Sequence, residues 1–242
     1  MLPRIARELA GHIFGGSCYL CHGEIETTRG AALWCAACDA DLARLGADTC
    51  PRCALASPGG ALCGRCLADP PAYDATCAAL VYRFPADVLV TSLKFRGELA
   101  LAAPLGELLG ELLAERFGRI DAVLPVPLAP PRLAQRGYNQ AMEISRPVAR
   151  ALRAPIDARL CERVLDTRAQ TDLPWAARAR NVRGAFRCTR PLGGATVAVI
   201  DDVMTTGATL AELSRTLKRA GAAQVINGVL ARAFPPGGDP TG

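Results

Sequence analysis

Two groups of residues have types and spacings that can do chemistry. The first is cysteine. Eight of the 11 cysteines fall within the first 66 residues, as four Cys-x-x-Cys pairs: Cys18/Cys21, Cys35/Cys38, Cys50/Cys53 and Cys63/Cys66. Each such turn puts two thiolates on one side of a tight knuckle, and two knuckles supply the four soft ligands of a tetrahedral Zn²⁺. Four pairs therefore make two structural Cys₄ sites. Spacers of 13, 11 and 9 residues suit short β-ribbons. Sequential pairing is the simplest, 18/21 with 35/38 and 50/53 with 63/66, and crossed pairing stays open. Cys18-Tyr19-Leu20-Cys21-His22 also fits the c-type haem attachment pattern, but that chemistry needs export. His22 is an alternative zinc ligand that nothing requires. A redox role suits one pair better than four in tandem. Cys77, Cys161 and Cys188 have no partner at metal spacing and are expected to be buried thiols.

The second group is acidic and hydroxylic. An apolar strand, Thr196 to Ile200, runs into Asp201 and Asp202, then Val203-Met204-Thr205-Thr206-Gly207-Ala208-Thr209 opens a helix. In a parallel α/β sheet, ligands bind just beyond the carboxyl ends of the strands. The loop offers two hydroxyls, a glycine that lets backbone come close, and a third hydroxyl in the first helical turn. Backbone amides and the positive end of the helix dipole complete a cradle for one phosphate monoester. The carboxylates sit where the hydroxyls of a sugar would lie, and they can hold Mg²⁺ directly or through water.

Around these groups the chain changes texture. Residues 1–70 hold the cysteine pairs among scattered Gly and Pro, without a long periodic apolar stretch. Such a segment cannot bury a core and needs another source of stability, which metal supplies. Asp69-Pro70-Pro71 reads as a linker. Beyond it, 71–234 alternates strand and helix patterns. Strands are expected at Tyr73–Tyr82, Ile120–Val126, Thr196–Ile200 and Gln224–Leu230, with a weaker candidate at Ile156–Val164. Helices are expected at Ala86–Phe95, Leu99–Phe117, Gln140–Leu152 and Gly207–Ala220. The stretch from Thr167 to Arg183 reads as a loop with some helix, and 235–242 as a disordered tail. Alternation of this kind means an α/β fold, a parallel sheet with helices on both faces.

Half of the residues are hydrophobic and few are aromatic, so the core must be mostly Ala, Leu and Val. The net charge of +5 is compatible with a polyphosphate or nucleic-acid partner and equally with a solvated surface. No stretch has the run of about 18 uncharged apolar residues that a bilayer requires. Leu99 to Leu113 is interrupted by Glu107 and Glu111. The first 16 residues carry Arg4 and Arg7 without an uncharged apolar run behind them, a poor signal peptide. A cytoplasmic protein is expected, a compartment where cysteine clusters bind metal more often than they form disulfides.

Several basic segments can meet a second phosphate group. Arg132 and Arg136 follow the strand that ends at Pro125-Val126-Pro127, and guanidinium forks bind pyrophosphate bidentately. Lys94 and Arg96 add two cations. The stretch from 168 to 183 adds Arg168, Arg178, Arg180 and Arg183, with Gln170, Thr171 and Asn181 as polar positions a mobile lid could use.

The string VAVIDDVMTTGAT resembles the phosphoribosyl-diphosphate (PRPP) signature of the type I phosphoribosyltransferases. Together with the cysteine knuckles, CGRCLADPPAYD, SLKFRGELALAAPLGELL, VLPVPLAPPRLAQRGYNQA and TRAQTDLPWAARARNVRGAF, it makes nearly the whole chain similar to the ComF family of competence-associated, phosphoribosyltransferase-like proteins. The resemblance implies a type I phosphoribosyltransferase-like sheet preceded by a small double zinc-ribbon module. It implies that Asp201 and Asp202 contact the ribose 2- and 3-hydroxyls and carry any catalysis. Thr205, Thr206, Gly207 and Thr209 would hold the 5-phosphate, with Val203, Ala208, Arg132 and Arg136 completing the PRPP site and Mg²⁺ accompanying the ligand. Implied partners are single-stranded DNA and other DNA-uptake proteins.

Two functions follow from the resemblance. One is an enzyme in which a nucleophile attacks C1 of the ribose as pyrophosphate leaves. Both histidines lie in the cysteine-rich segment or before it, so no catalytic base can be named. The other is a non-catalytic module that holds single-stranded DNA and uses PRPP as a regulatory ligand. A transcription regulator on the same fold would be expected to carry a helix-turn-helix in place of cysteine knuckles.

Overall fold

The computed structural model describes residues 16–25, 33–165 and 182–235. Two short strands, β1 (Gly16–Ser17) and β2 (Glu24–Ile25), form an antiparallel ribbon around the first cysteine pair. Helix α1 (Ala36–Ala40) starts immediately after Cys35, and α2 (Gly64–Ala68) immediately after Cys63. Each sulfur cluster thus draws one knuckle from a turn and one from a helix start.

The main sheet has four strands in the order β3-β8-β7-β4, all parallel. They are β3 (Ala75–Val81), β4 (Ala122–Pro125), β7 (Thr196–Met204) and β8 (Gln224–Arg232). Along β7, Val197 and Val199 enter one hydrophobic cluster while Ala198 and Ile200 enter the other. That period of two buries both faces of the sheet, as parallel sheets require. On one face lie α3 (Ala86–Thr91), α4 (Ala102–Arg116) and α6 (Gln140–Leu152). On the other lies α7 (Ala208–Arg219), through Leu210, Leu213 and Leu217. The α/β fold expected from the alternating pattern, with helices on both faces, is the one observed.

Helices α4 and α6 pack unusually closely. A Cβ on Gly106 would lie 2.4 Å from Pro147 Cγ and 2.7 Å from the Ile144 carbonyl oxygen, and one on Gly110 would lie 2.8 Å from Ala151 Cβ. Glycine four residues apart on one helical face lets the two backbones meet.

Some elements depart from the sequence pattern. β7 runs to Met204 rather than ending at Ile200, because β8 continues opposite it: Asp201 pairs with Val229 and Met204 with Arg232. The two aspartates therefore sit on the carboxyl end of a strand, with fixed backbone. The helix from Ala86 gives way at Ser92 to a π turn that ends at Gly97. The turn expected after Val126 contains a helix, α5 (Pro130–Arg136). Of the candidate strand at Ile156–Val164, only β5 (Cys161–Arg163) forms, antiparallel to the unanticipated β6 (Phe186–Cys188). Residues 166–181, which include Arg168, Gln170, Thr171, Arg178, Arg180 and Asn181, lie outside the described residues, as do 236–242.

The cysteine-rich segment is tied to the sheet by backbone. Arg44 bridges Leu80 antiparallel, with the Leu45 amide donating to the Ala79 carbonyl and the Val81 amide to the Ala43 carbonyl. This strip covers the outer edge of β3, which would otherwise offer unpaired donors and acceptors.

Candidate functional site

The eight cysteines sort into two four-sulfur clusters in sequential order. Cys18, Cys21, Cys35 and Cys38 form one; Cys50, Cys53, Cys63 and Cys66 form the other. Within each, all ligand atoms lie within 4.8 Å of one another. Sulfurs around a tetrahedral Zn²⁺ with bonds near 2.3 Å stand about 3.8 Å apart. Cys21 and Cys35 Sγ are 3.8 Å apart, and Cys53 and Cys63 Sγ are 3.5 Å apart. Backbone amides aim at the sulfurs: Cys35 N donates to Cys18 Sγ at 3.3 Å, and Cys63 N to Cys50 Sγ at 3.4 Å. Burial opposes ionisation of Cys18 and Cys50, but these amides outweigh it and bring them down to about 6 and about 7. In the same clusters burial and the neighbouring sulfurs push Cys38 and Cys66 upward. Four adjacent sulfurs cannot all ionise without a cation among them, and a dication satisfies every one. The donor sets fit structural zinc. His22 is exposed and belongs to neither cluster.

Cys77 and Cys161 are buried and Cys188 is half-buried. Cys161 and Cys188 face each other across the β5–β6 register. Burial, then the nearby Cys188 thiol, pushes Cys161 up to about 12. Both are therefore neutral at ordinary pH.

Beyond the carboxyl ends of β7 and β4 lies a cleft of about 650 Å³, lined by Lys94, Phe95, Arg96, Arg132, Arg136, Gln140, Asp201, Asp202, Val203, Thr205, Gly207, Ala208 and Thr209. Of the residues that the resemblance places in the PRPP site, the cleft gathers all but Thr206. Thr206 is buried, and its hydroxyl accepts from the Ala208 amide at 3.2 Å. Arg183 is exposed and lines no part of the cleft.

The two aspartates occupy different environments. Asp202 is 3% exposed; its Oδ2 meets Lys94 Nζ at 2.7 Å and accepts from Gln140 Nε2 at 3.3 Å. Burial works against its charge, but the Lys94 ammonium prevails and holds it below the usual carboxylate range. Asp201 is more exposed, and its Oδ1 accepts the Asp202 amide at 2.9 Å. Desolvation, then the Asp202 carboxylate beside it, lifts Asp201 to about 8. Adjacent carboxylates with pKa values driven apart mark functional sites. Lys94 was expected to be a cation for the leaving phosphates, yet it is already engaged with Asp202.

The turn after β7 passes through Gly207 at φ +79°, where a Cβ would fall 2.6 Å from Met204 Cε and 3.1 Å from the Tyr73 hydroxyl. Only glycine fits. Beneath the turn lies Arg232, fully buried, with no carboxylate partner among the described residues. Its Nη1 donates to the carbonyls of Met204 (2.7 Å) and Thr205, and its Nε to the Cys53 carbonyl at 2.8 Å. Arg65 Nη2 donates to the Thr206 carbonyl at 3.0 Å. Sequence patterning gave no reason to single out either arginine, because their partners lie far along the chain.

Phe95 is 64% exposed in the cleft, with the Arg136 guanidinium 5.5 Å and the Lys94 ammonium 5.8 Å from its ring centre. An exposed aromatic among cations is the other feature that the pattern of residues did not disclose.

Comparison with known proteins accords with this picture. Residues 9–67 match the double zinc ribbon domain family. The chain is 35% identical over 216 residues to the DNA utilization protein YhgH of Salmonella typhimurium LT2, covering 87% of this chain and 94% of that one. It is 34% identical, with the same coverage, to YhgH of Escherichia coli K12. It is 33% identical over 179 residues to competence protein F of Haemophilus influenzae Rd, 71% of this chain and 78% of that one. Among solved structures, a purine phosphoribosyltransferase from Pyrococcus horikoshii overlaps 55% of this chain and 74% of its own, at 19% identity and a TM-score of 0.35. The glutamine PRPP amidotransferase of B. subtilis overlaps 53% and 26%, at 21% identity and a TM-score of 0.36. Overlaps that weak carry no functional argument.

Proposed function

The chain belongs to the ComF family of competence-associated proteins, and on that premise we propose that its cleft binds PRPP together with Mg²⁺. The observation that carries the proposal is the meeting, in one cleft, of a carboxylate pair on a strand end with a Gly-Thr turn at a helix start and two arginines across the opening. The turn formed by Thr205, Gly207 and Thr209 takes the 5-phosphate. Asp201 faces the ribose hydroxyls. Arg132 and Arg136 meet the pyrophosphate. Mg²⁺, when bound with the ligand, neutralises phosphate charge, and Asp201 is the carboxylate best placed to face it. Asp202 is already paired with Lys94, so it would face the ligand only if Lys94 turned to the phosphates.

As a transferase, the protein would align an acceptor with C1 of the ribose and stabilise the departing pyrophosphate through Arg132, Arg136 and Lys94. Among the described residues the cleft holds no histidine, so a proton leaving the acceptor would pass to Asp201 or to water.

A second reading, handling of single-stranded DNA, is favoured by Phe95. Base stacking on an exposed ring beside Arg96, Arg132 and Arg136 is how such strands are held, with strong salt dependence. Pyrophosphate release, measured with free bases, with single-stranded DNA and with neither, separates the readings. Release that depends on one acceptor supports the transferase. Tight, salt-sensitive DNA binding without release, lost in Phe95→Ala, supports the module.

A further inference from the structure

We infer that Arg232 is a positioning residue that fastens the phosphate turn to the second cysteine cluster, so that metal held by Cys50, Cys53, Cys63 and Cys66 governs the turn while metal at the first cluster does not. The coupling is a matter of backbone direction. In a trans peptide the carbonyl of one residue and the amide of the next point opposite ways. Arg232 holds the carbonyls of Met204 and Thr205, and Arg65 holds that of Thr206. Three consecutive carbonyls are thus drawn to the underside of the turn. The amides of Thr205, Thr206 and Gly207 must then point the other way, and Thr205 and Gly207 line the cleft. A turn whose amides converge is an anion site.

Both guanidiniums are anchored on the second cluster. Arg232 spans from the turn to the carbonyl of Cys53, a cluster cysteine. Arg65 sits in α2, between Cys63 and Cys66. Cys50, Cys53 and Cys66 pack in the same apolar cluster as Met204 and Tyr73. The first ribbon packs elsewhere: Tyr19, Leu20, Leu33 and Trp34 lie against the opposite face of the sheet. The second cluster is tied to the turn by side-chain hydrogen bonds, while the first packs on the other side of the sheet. Arg232 carries a further sign of a fixed role. It is wholly buried, yet its Nη2 has no hydrogen-bond partner among the described residues. A lysine could keep the charge but could not reach the Cys53 carbonyl and the turn carbonyls with one rigid fork.

The consequence for ligand affinity rests on the reading that this turn holds the 5-phosphate, but the coupling itself does not. The test uses the full zinc-loaded chain and three variants, with zinc content measured throughout. Arg232→Lys is expected to keep both zinc ions, to raise hydrogen exchange selectively in 203–209, and to weaken PRPP·Mg²⁺ binding by about tenfold or more, as loss of a charged hydrogen-bond fork implies. Cys63→Ser should do the same to the turn while releasing one zinc. Cys35→Ser should also release one zinc but leave exchange in 203–209, and PRPP affinity, within about twofold of wild type. Wild-type exchange and affinity in Arg232→Lys would overturn the inference, and so would equal effects from the two cluster variants. If wild type binds no PRPP, the functional reading fails, and the exchange comparison still decides the coupling. Should Arg232→Lys not fold, Arg65→Gln at the exposed helix position tests the companion tether on the Thr206 carbonyl, with faster exchange in 203–209 expected and an unchanged rate overturning the coupling to the second cluster.

Discussion

Replacing Lys94 with methionine removes the partner of a buried carboxylate. At 2.7 Å, and at an effective dielectric constant of about 20, the Lys94–Asp202 attraction amounts to about 6 kcal/mol. Much of that is offset by taking both ions out of water. Removing one partner of such a pair typically destabilises by about 3–5 kcal/mol. Lys94 keeps 26% of its side-chain surface exposed, so the lower end applies, about 3 kcal/mol. Proton uptake sets a ceiling. Protonating a carboxyl of ordinary pKa at pH 7 takes about 4 kcal/mol, and about 1.4 less for each unit of acidification. Asp202 in the wild type has a depressed pKa, so its contribution is fully present above the unfolded value and is lost only as pH falls below that value through the folded one; the pH dependence between 7 and 5 comes from the variant, whose unpaired carboxyl takes up a proton. The deficit of Lys94→Met in guanidinium unfolding of the zinc-loaded protein should therefore be about 3 kcal/mol at pH 7 and shrink to about 1.5 kcal/mol or less at pH 5. Adding Asp202→Asn should recover most of it. A deficit below about 1 kcal/mol at pH 7, or one indifferent to pH, would refute this account of the pair.

Asp201 makes ligand binding depend on pH. Its carboxyl stands near 8, so a proton must leave before it can face Mg²⁺ or the ribose hydroxyls, and affinity for PRPP·Mg²⁺ should climb up to about tenfold per pH unit below 8 and level off above. Calorimetry on wild type and Asp201→Asn checks this, since the variant lacks that component of the slope. Purified under reducing conditions, the protein should contain two zinc ions per chain by elemental analysis, and clearly fewer would contradict the two-cluster reading. Gly106→Ala should lower stability by about 1–3 kcal/mol in thermal or guanidinium unfolding, because the added methyl falls on Pro147 and the Ile144 carbonyl. A neutral substitution there would mean that the α4–α6 contact is looser than described.

What the sequence disclosed was what depends on near neighbours. The Cys-x-x-Cys knuckle is a local turn, so the metal ligands could be named, while their sequential pairing needed the folded chain. β3, β4, β7 and β8 carry long β-branched or apolar runs and were legible, whereas β6 is three residues long and α5 sits in a proline-rich stretch that reads as a turn. The end of β7 was misjudged because two carboxylates break the apolar pattern while the ladder with β8 continues. The cradle residues were named from one contiguous string. Their supports were not: Lys94 reaches Asp202, and Arg232 reaches Cys53, across separations that no periodicity records. Arg132 and Arg136 could be suspected from charge, but nothing in the pattern of residues set Phe95 apart.

The central claim is that the cleft at the end of β7 binds PRPP through its acidic pair. It is tested most directly by calorimetric titration of PRPP with Mg²⁺ into wild type and into Asp201→Asn/Asp202→Asn. The account predicts binding by the wild type that the double variant loses while it keeps its fold and both zinc ions. Equal affinity in the two proteins, or no binding by the wild type, would contradict it.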